Sequence, residues 1–186
     1  PLADALVLLN SIIVDLSAFS GMEMENMTRG LGWRFLDMGR RLERSNQQVN
    51  LFRAAFAHNE KAGLALEPVL EISDSLMTYR RRYFAQVQLS SVLQLLLVDE
   101  GNPRSIGFQL HAMAEHTAQL PLAPGTTIGA GERKRVDAML ELIRNCDLSR
   151  ITADTGKSIN EPLDSLLSDL QLELGVLSNS ISHYYF

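Results

Sequence analysis

Apolar residues recur along this chain at helical spacing, and no stretch of useful length alternates as a strand would. Leu6, Leu9, Ile13 and Leu16 mark a first helix that runs to Phe19 or, across Gly21, to Met27. Arg29-Gly30-Leu31-Gly32 then turns the chain. Next comes the clearest stripe: Phe35, Met38, Leu42, Ser45, Val49, Phe52 and Phe56 take alternating steps of three and four on one face of a second helix, from Trp33 to about Phe56. A third helix is expected from about Leu66 to Phe84, with Pro68 in its first turn, where the missing amide hydrogen does no harm. A fourth spans Leu89 to Val98, and Asp99-Glu100-Gly101-Asn102-Pro103 breaks it. Pro103 opens a fifth helix through Phe108, Leu110 and Met113 to His116. Two prolines and three glycines make 121–131 the one long loop. Helices over Glu132 to Asn145 and Asn160 to about Tyr184 complete the pattern, with Asn160 as cap and Pro162 in the first turn of the last. The expectation is an all-α chain, a bundle of about six to seven helices.

A chain of 186 residues suits a single helical domain over 1–186. It opens on Pro1 with a helical pattern at once, which reads as a piece of something longer. Cys146 is the only cysteine, so no disulfide framework or cysteine-based zinc site can be drawn, and a reducing, cytoplasmic setting is expected. The longest unbroken apolar runs, Ala5 to Leu9 and Leu95 to Val98, fall far short of the roughly 18 residues of a membrane helix, so no membrane span is expected.

Charge adds a sharper observation. The chain carries fourteen arginines and three lysines. Arginine's planar, always ionised fork suits partly buried ion pairs and bidentate recognition of carboxylate or phosphate. Ten of the fourteen lie at or before Arg104, facing twelve acidic residues. That near-balance, with a net charge of -5, fits paired networks and argues against a nucleic-acid-binding face, which needs uncompensated positive charge.

On a helical wheel the second helix sets Trp33, Asp37, Arg40 and Arg44 opposite its apolar stripe, with Arg34 and Arg41 flanking. Asp37 is placed to pair with Arg40 or Arg41, for about 0.2–0.5 kcal/mol if exposed. One aspartate cannot balance five arginines. Three readings stand open: a solvated face, a buried ion network fed by outside carboxylates such as Glu25, Asp99 or Glu100, and a site for a phosphate or carboxylate ligand. In the third helix Arg80 falls within the stripe Val69, Ile72, Leu76, Tyr83 and is expected to join the network, while Arg82 points away from it. Asp99-Glu100-Gly101-Asn102-Pro103-Arg104 is either a capped turn or an element that brings carboxylates against the arginines of the second helix.

Metal and cofactor signals are lacking. His58, His111, His116 and His183 show no ligand spacing, no Glu-x-x-His pair occurs, and neither a phosphate-binding Gly-Lys loop nor a nucleophile elbow is present. No metal and no cofactor are expected, and His111 and His116 read as helix-surface or core residues rather than bases.

Glu25-Asn26-Met27-Thr28-Arg29-Gly30, Gly32-Trp33-Arg34-Phe35-Leu36-Asp37, Gly39-Arg40-Arg41-Leu42-Glu43-Arg44, Leu76-Met77-Thr78-Tyr79-Arg80-Arg81-Arg82-Tyr83 and Asp99 to Arg104 together resemble the bacterial alpha-E family, a helical domain with a Glu-Arg motif and no established activity. The likeness runs to about Leu120. The resemblance implies that the Glu-Arg motif falls on Glu43-Arg44, that ATP-grasp-like and transglutaminase-like proteins are partners in systems that make or process peptide or amide linkages, and that a further amino-terminal half carries a similar helix. On this footing the chain is expected to be an accessory or docking module, leaning away from an enzyme, whose network of Glu25, Arg29, Trp33, Arg34, Asp37, Arg40, Arg41, Glu43, Arg44, Arg80, Asp99, Glu100 and Arg104 is structural or holds an anionic group. The alternative is an enzyme using Glu25, Glu43 or Asp99 as acid or base on an arginine-held anionic substrate.

Overall fold

A computed structural model describes the chain apart from residues 1, 58–61, 85, 122–129 and 154–159. Nine α-helices occur among the described residues: α1 (Leu2–Asn26), α2 (Leu31–Phe52), α3 (Ala62–Ile72), α4 (Leu76–Tyr83), α5 (Leu89–Leu93), α6 (Ile106–Thr117), α7 (Ala130–Arg144), α8 (Leu148–Ala153) and α9 (Glu161–Tyr185). π-helical turns at Arg53–Ala57 and Gln94–Val98 extend α2 and α5. The all-α class is as expected and the helix count is somewhat higher. The loop expected at 121–131 lies mostly outside the described residues, and its last two positions belong to α7.

The chain divides into two compact units, Pro1–Leu36 and Asp37–Phe186. In the first, α1 runs through Gly21 to Asn26, and a turn in which the Gly30 amide donates to the Thr28 carbonyl at 2.7 Å leads to α2. Leu31 and Gly32 lie inside α2, not in the turn. Among the described residues of α1 only Glu23 is buried, and large apolar side chains from Leu2 to Met24 are exposed on all sides of it. By length and composition α1 is apolar enough to cross a membrane, a test that signal sequences and buried core helices also pass. Unbroken apolar runs do not register this helix, because Asn10, Ser11, Asp15 and Ser17 interrupt the runs without lowering the mean hydropathy of an 18-residue window below that of a span.

The core of the second unit sits where α5, α6, α7 and α9 meet the end of α2. Val92, Leu93, Leu95, Leu96 and Leu97 are fully buried, and they meet Leu110 and Met113 of α6, Val136 and Met139 of α7 and the Leu163–Leu167–Leu170–Leu174–Leu177 face of α9. The stripe read on α2 is buried from Met38 to Phe56. The π-turn that ends it leaves the Ala57 carbonyl to accept from the Asn160 amide at 2.9 Å, while the Asn160 side chain caps α9 by accepting from Leu163. Arg53 holds the same seam, reaching Asp164 at 3.0 Å and Gln171 at 2.8 Å.

The single helix expected from Leu66 to Phe84 is two. α3 ends in a Schellman turn: the Ser75 amide donates to the Leu70 carbonyl at 2.8 Å and the Asp74 amide to Glu71 at 2.9 Å, with Asp74 left-handed at φ 47°. The break shifts the helical phase of α4 relative to α3. Tyr79 becomes the buried residue of α4 and Arg80 turns outward, while Ile72 is exposed. Pro68 lies in the second turn of α3 rather than the first. The fifth helix begins at Ile106, capped by Ser105, so Pro103 belongs to the preceding turn.

Candidate functional site

α2 carries a buried carboxylate on the face opposite its apolar stripe. Asp37 is only 3 % exposed, because α6 brings the buried His116 onto it: Nε2 lies 2.7 Å from Oδ2. The Arg41 Nε donates to the same oxygen at 2.9 Å, and Arg40 approaches the other oxygen at 3.8 Å. Arg41 also donates from Nη1 to Gln109 Oε1 at 3.0 Å and lies over the Phe108 ring, while Gln109 donates to the Pro103 carbonyl. Burial alone would raise the Asp37 pKa. The His116 hydrogen bond and the Arg41 charge outweigh it and hold the carboxyl below the usual range.

Arg44, one turn further along α2, is different. It makes no ion pair and no hydrogen bond among the described residues. Its side chain is exposed on α2, yet partial desolvation, and then the charges of Arg40, Arg104 and Arg41, outweigh the opposite pull of Asp37 and depress its pKa. It lines a pocket of about 200 Å³ between α2, the α3–α4 break and the start of α6, with Arg104 on the far wall.

The turn after α5 is an ion hub, not a donor of carboxylates to α2. Asp99 pairs with Arg82 of α4 and accepts from the Gly101 amide at 3.0 Å. Glu100 forms a two-pronged pair with Arg144 of α7, at 2.6 and 2.9 Å, which holds its carboxyl below the ordinary range. Arg104 reaches Asp74 at 2.6 Å. Buried Asn102 ties the turn together, donating to the Leu95 carbonyl and accepting from the Arg104 amide. Two expectations are therefore corrected. Asp99 and Glu100 do not feed the arginines of α2, since arginines from α4 and α7 take them. Arg82, not Arg80, joins this network, because the Asp74 break rotates α4; Arg80 is 59 % exposed and makes only a 3.8 Å contact with Glu67.

The other expected residues are divided between the two units. In the first unit Arg29 stacks on Trp33 at 4.5 Å and donates to the Met24 carbonyl, Trp33 and Arg34 are half-buried, and Glu25 is exposed. Glu43 is exposed on α2 and accepts from Gln47. Of the three carboxylates considered as acid or base, Asp99 is neutralised by Arg82 and Glu43 faces outward in the second unit, and Glu25 is an exposed residue of the first. A groove of about 980 Å³ between α7, α8 and α9 includes Cys146, whose thiol burial and Asp147 push up, away from a reactive thiolate. No group of three metal-ligating residues occurs among the described residues.

The sequence does not mark His116 and Gln109 as site residues, although a signal exists. They lie seven residues apart, with Met113 between them on the same inward face of α6, so two polar side chains have to be matched inside the core.

A family model described as a predicted alpha-helical domain with a conserved ER motif matches residues 3–186. Uncharacterised proteins of Mycobacterium tuberculosis and Mycobacterium bovis are each 27% identical over 158 residues, which covers 83% of this chain and 18% of the relative. The chain thus spans about a fifth of the length of the curated relatives it matches. No solved structure matches it.

Proposed function

The chain belongs to the Alpha-E family, and from that premise we propose that it is a non-catalytic helical docking module of a longer protein in an ATP-grasp-linked peptide- or amide-bond system. The observation that carries this reading is α1. A helix with Leu6, Leu9, Ile13, Leu16 and Phe19 all more than half exposed has a cost in water of roughly 1.5–3 kcal/mol for each such side chain left uncovered, and it requires a cover. The cover is a further helical segment of the same polypeptide on the amino-terminal side, as the greater length of the relatives suggests, and the assembled helical face meets the ATP-grasp-like or transglutaminase-like neighbour. The ion network supports the same role: Asp37, Asp74, Asp99 and Glu100 are engaged by arginines, which makes a rigid platform. The single cysteine, with its raised pKa, fits a reducing, cytoplasmic setting.

The test is co-expression of the full-length protein with its ATP-grasp-like neighbour, with and without Leu9→Glu and Ile13→Glu. The unaltered protein is expected to remain in the soluble fraction and co-purify with the neighbour, and the charged variants to stay helical but lose the association. Partition of the full-length protein into membranes, or failure of the complete protein to associate, would sink the proposal.

A further inference from the structure

We propose that the pocket between Arg44 and Arg104 is a binding site for a compact phosphate group, either inorganic phosphate or the terminal phosphoryl group of a small molecule. Three features of the site point this way.

The first is charge. Among the residues that line the pocket, two guanidiniums, of Arg44 and Arg104, face one carboxylate, that of Asp74. Asp74 is taken by Arg104 at 2.6 Å. The lining is thus net positive, and the guanidinium left to a bound anion is that of Arg44.

The second is conflict. Arg44 lies close enough to Arg40, Arg104 and Arg41 for all three to oppose its charge by more than Asp37 offsets, and it makes no ion pair among the described residues. A cation placed among like charges costs stability, and a bound oxyanion between them reverses that cost. Arg44 and Arg104 come from different elements, α2 and the α5–α6 turn. Asn102 and Asp74 hold that turn in place, so the spacing is built by the fold and not by flexible side chains alone.

The third is size and lining. About 200 Å³ accommodates a phosphoryl group with a short stem and is below the usual range for drug-sized ligands, roughly 300–1,000 Å³. The Ser73 hydroxyl and the Gln48 amide, which bond each other at 3.2 Å across the α2–α3 seam, line the same pocket and offer neutral donors beside the guanidiniums, the mixture that phosphate takes. Glu43, the neighbour of Arg44 in the chain, accepts from Gln47 instead of approaching Arg44. The Glu-Arg pair therefore leaves its arginine available to a ligand.

The experiment is calorimetric titration of the chain with inorganic phosphate at constant ionic strength and pH, with acetate and chloride as parallel titrants, alongside thermal melts in phosphate-free and phosphate buffer. Saturable binding of phosphate in preference to acetate is expected, weakened about tenfold or more in Arg44→Ala, as for loss of a charge-assisted hydrogen bond, and partly retained in Arg44→Lys. Arg44→Ala is expected to melt at or above the parent's temperature without phosphate, because it removes a repelled cation, and to lose the rise that phosphate gives the parent. No saturable phosphate binding, equal binding by Arg44→Ala, acetate binding as tightly as phosphate, or an Arg44→Ala chain that melts lower in phosphate-free buffer would each overturn the assignment. A failure of α1 to dock leaves these outcomes unchanged, so the two proposals stand or fall separately. A small phosphorylated metabolite is distinguished from free phosphate by repeating the titration with a short alkyl phosphate, which is expected to bind as well as phosphate itself, whereas exclusion of the alkyl phosphate narrows the site to the free ion.

Discussion

Asp37 is a carboxylate that two basic side chains hold inside the protein. Its depressed pKa sets a direction for acid stability. A carboxyl whose folded pKa lies below its unfolded value contributes stability that is present above the unfolded value, about 3.9, and lost as pH falls through the folded pKa. Urea titrations at descending pH are expected to show stability falling below about pH 4, with a shallower fall in Asp37→Asn. At neutral pH the same substitution is expected to cost about 3–5 kcal/mol, as for a buried pair stripped of one partner; a loss under about 1 kcal/mol would show the Asp37–Arg41–His116 cluster to be dispensable. Ser45 makes the opposite case. It sits in the apolar stripe of α2, fully buried, with a hydroxyl that finds no partner. Ser45→Ala is expected to raise stability by about 1 kcal/mol, read from the shift of the urea midpoint. Periodicity places Ser45 in the apolar stripe and Asp37 opposite it. Both hold, and both residues are buried, because periodicity reports which face of a helix is apolar and is silent on whether a second helix will cover the other.

The elements were legible where one apolar stripe ran unbroken, and they failed where a break depended on backbone conformation. α2, α5, α7 and α9 stand close to their expected bounds, and Asn160 caps α9 as its side chain suggested. The α3–α4 break was missed because a Schellman turn usually advertises itself by glycine, and here Asp74 adopts the left-handed conformation instead. That single turn decides which arginine of Arg80-Arg81-Arg82 reaches Asp99. Phe84 ends α4 in the same conformation, with its ring 89 % exposed, so Phe84→Gly is expected to stabilise the protein by about 1 kcal/mol in chemical denaturation. Gly107 carries the reverse constraint. A Cβ there would stand 2.5 Å from the Val98 carbonyl oxygen, where α6 passes the π-turn after α5. Backbone cannot step aside, so Gly107→Ala is expected to cost about 1–3 kcal/mol, and an unchanged melting temperature would show that the approach is looser than its geometry.

Within the second unit, helices from distant parts of the chain bury each other's apolar faces, whereas α1 leaves its own exposed. Local stability follows burial, so hydrogen exchange is expected to be fastest along α1 and slowest along α9 and the Leu93–Leu97 segment, and to slow at α1 when the full-length protein supplies its cover. Equal protection of α1 in the isolated chain would show that the cover is already present. The family, the all-α class and the arginine-rich character of α2 could be read from residue order alone, because helical periodicity, charge choice and short motifs are local properties. The partner of each arginine could not. Asp37 met His116 across 79 positions, Glu100 met Arg144 across 44 and Arg104 met Asp74 across 30, and such pairings exist only once packing has chosen which helix covers which. The sequence alone determined that the arginines of α2 need counter-charge. The tertiary structure decided that Arg41 receives it from a buried aspartate while Arg44 does not, because α6 closes over Asp37 and the turn after α5 spends its acids on α4 and α7.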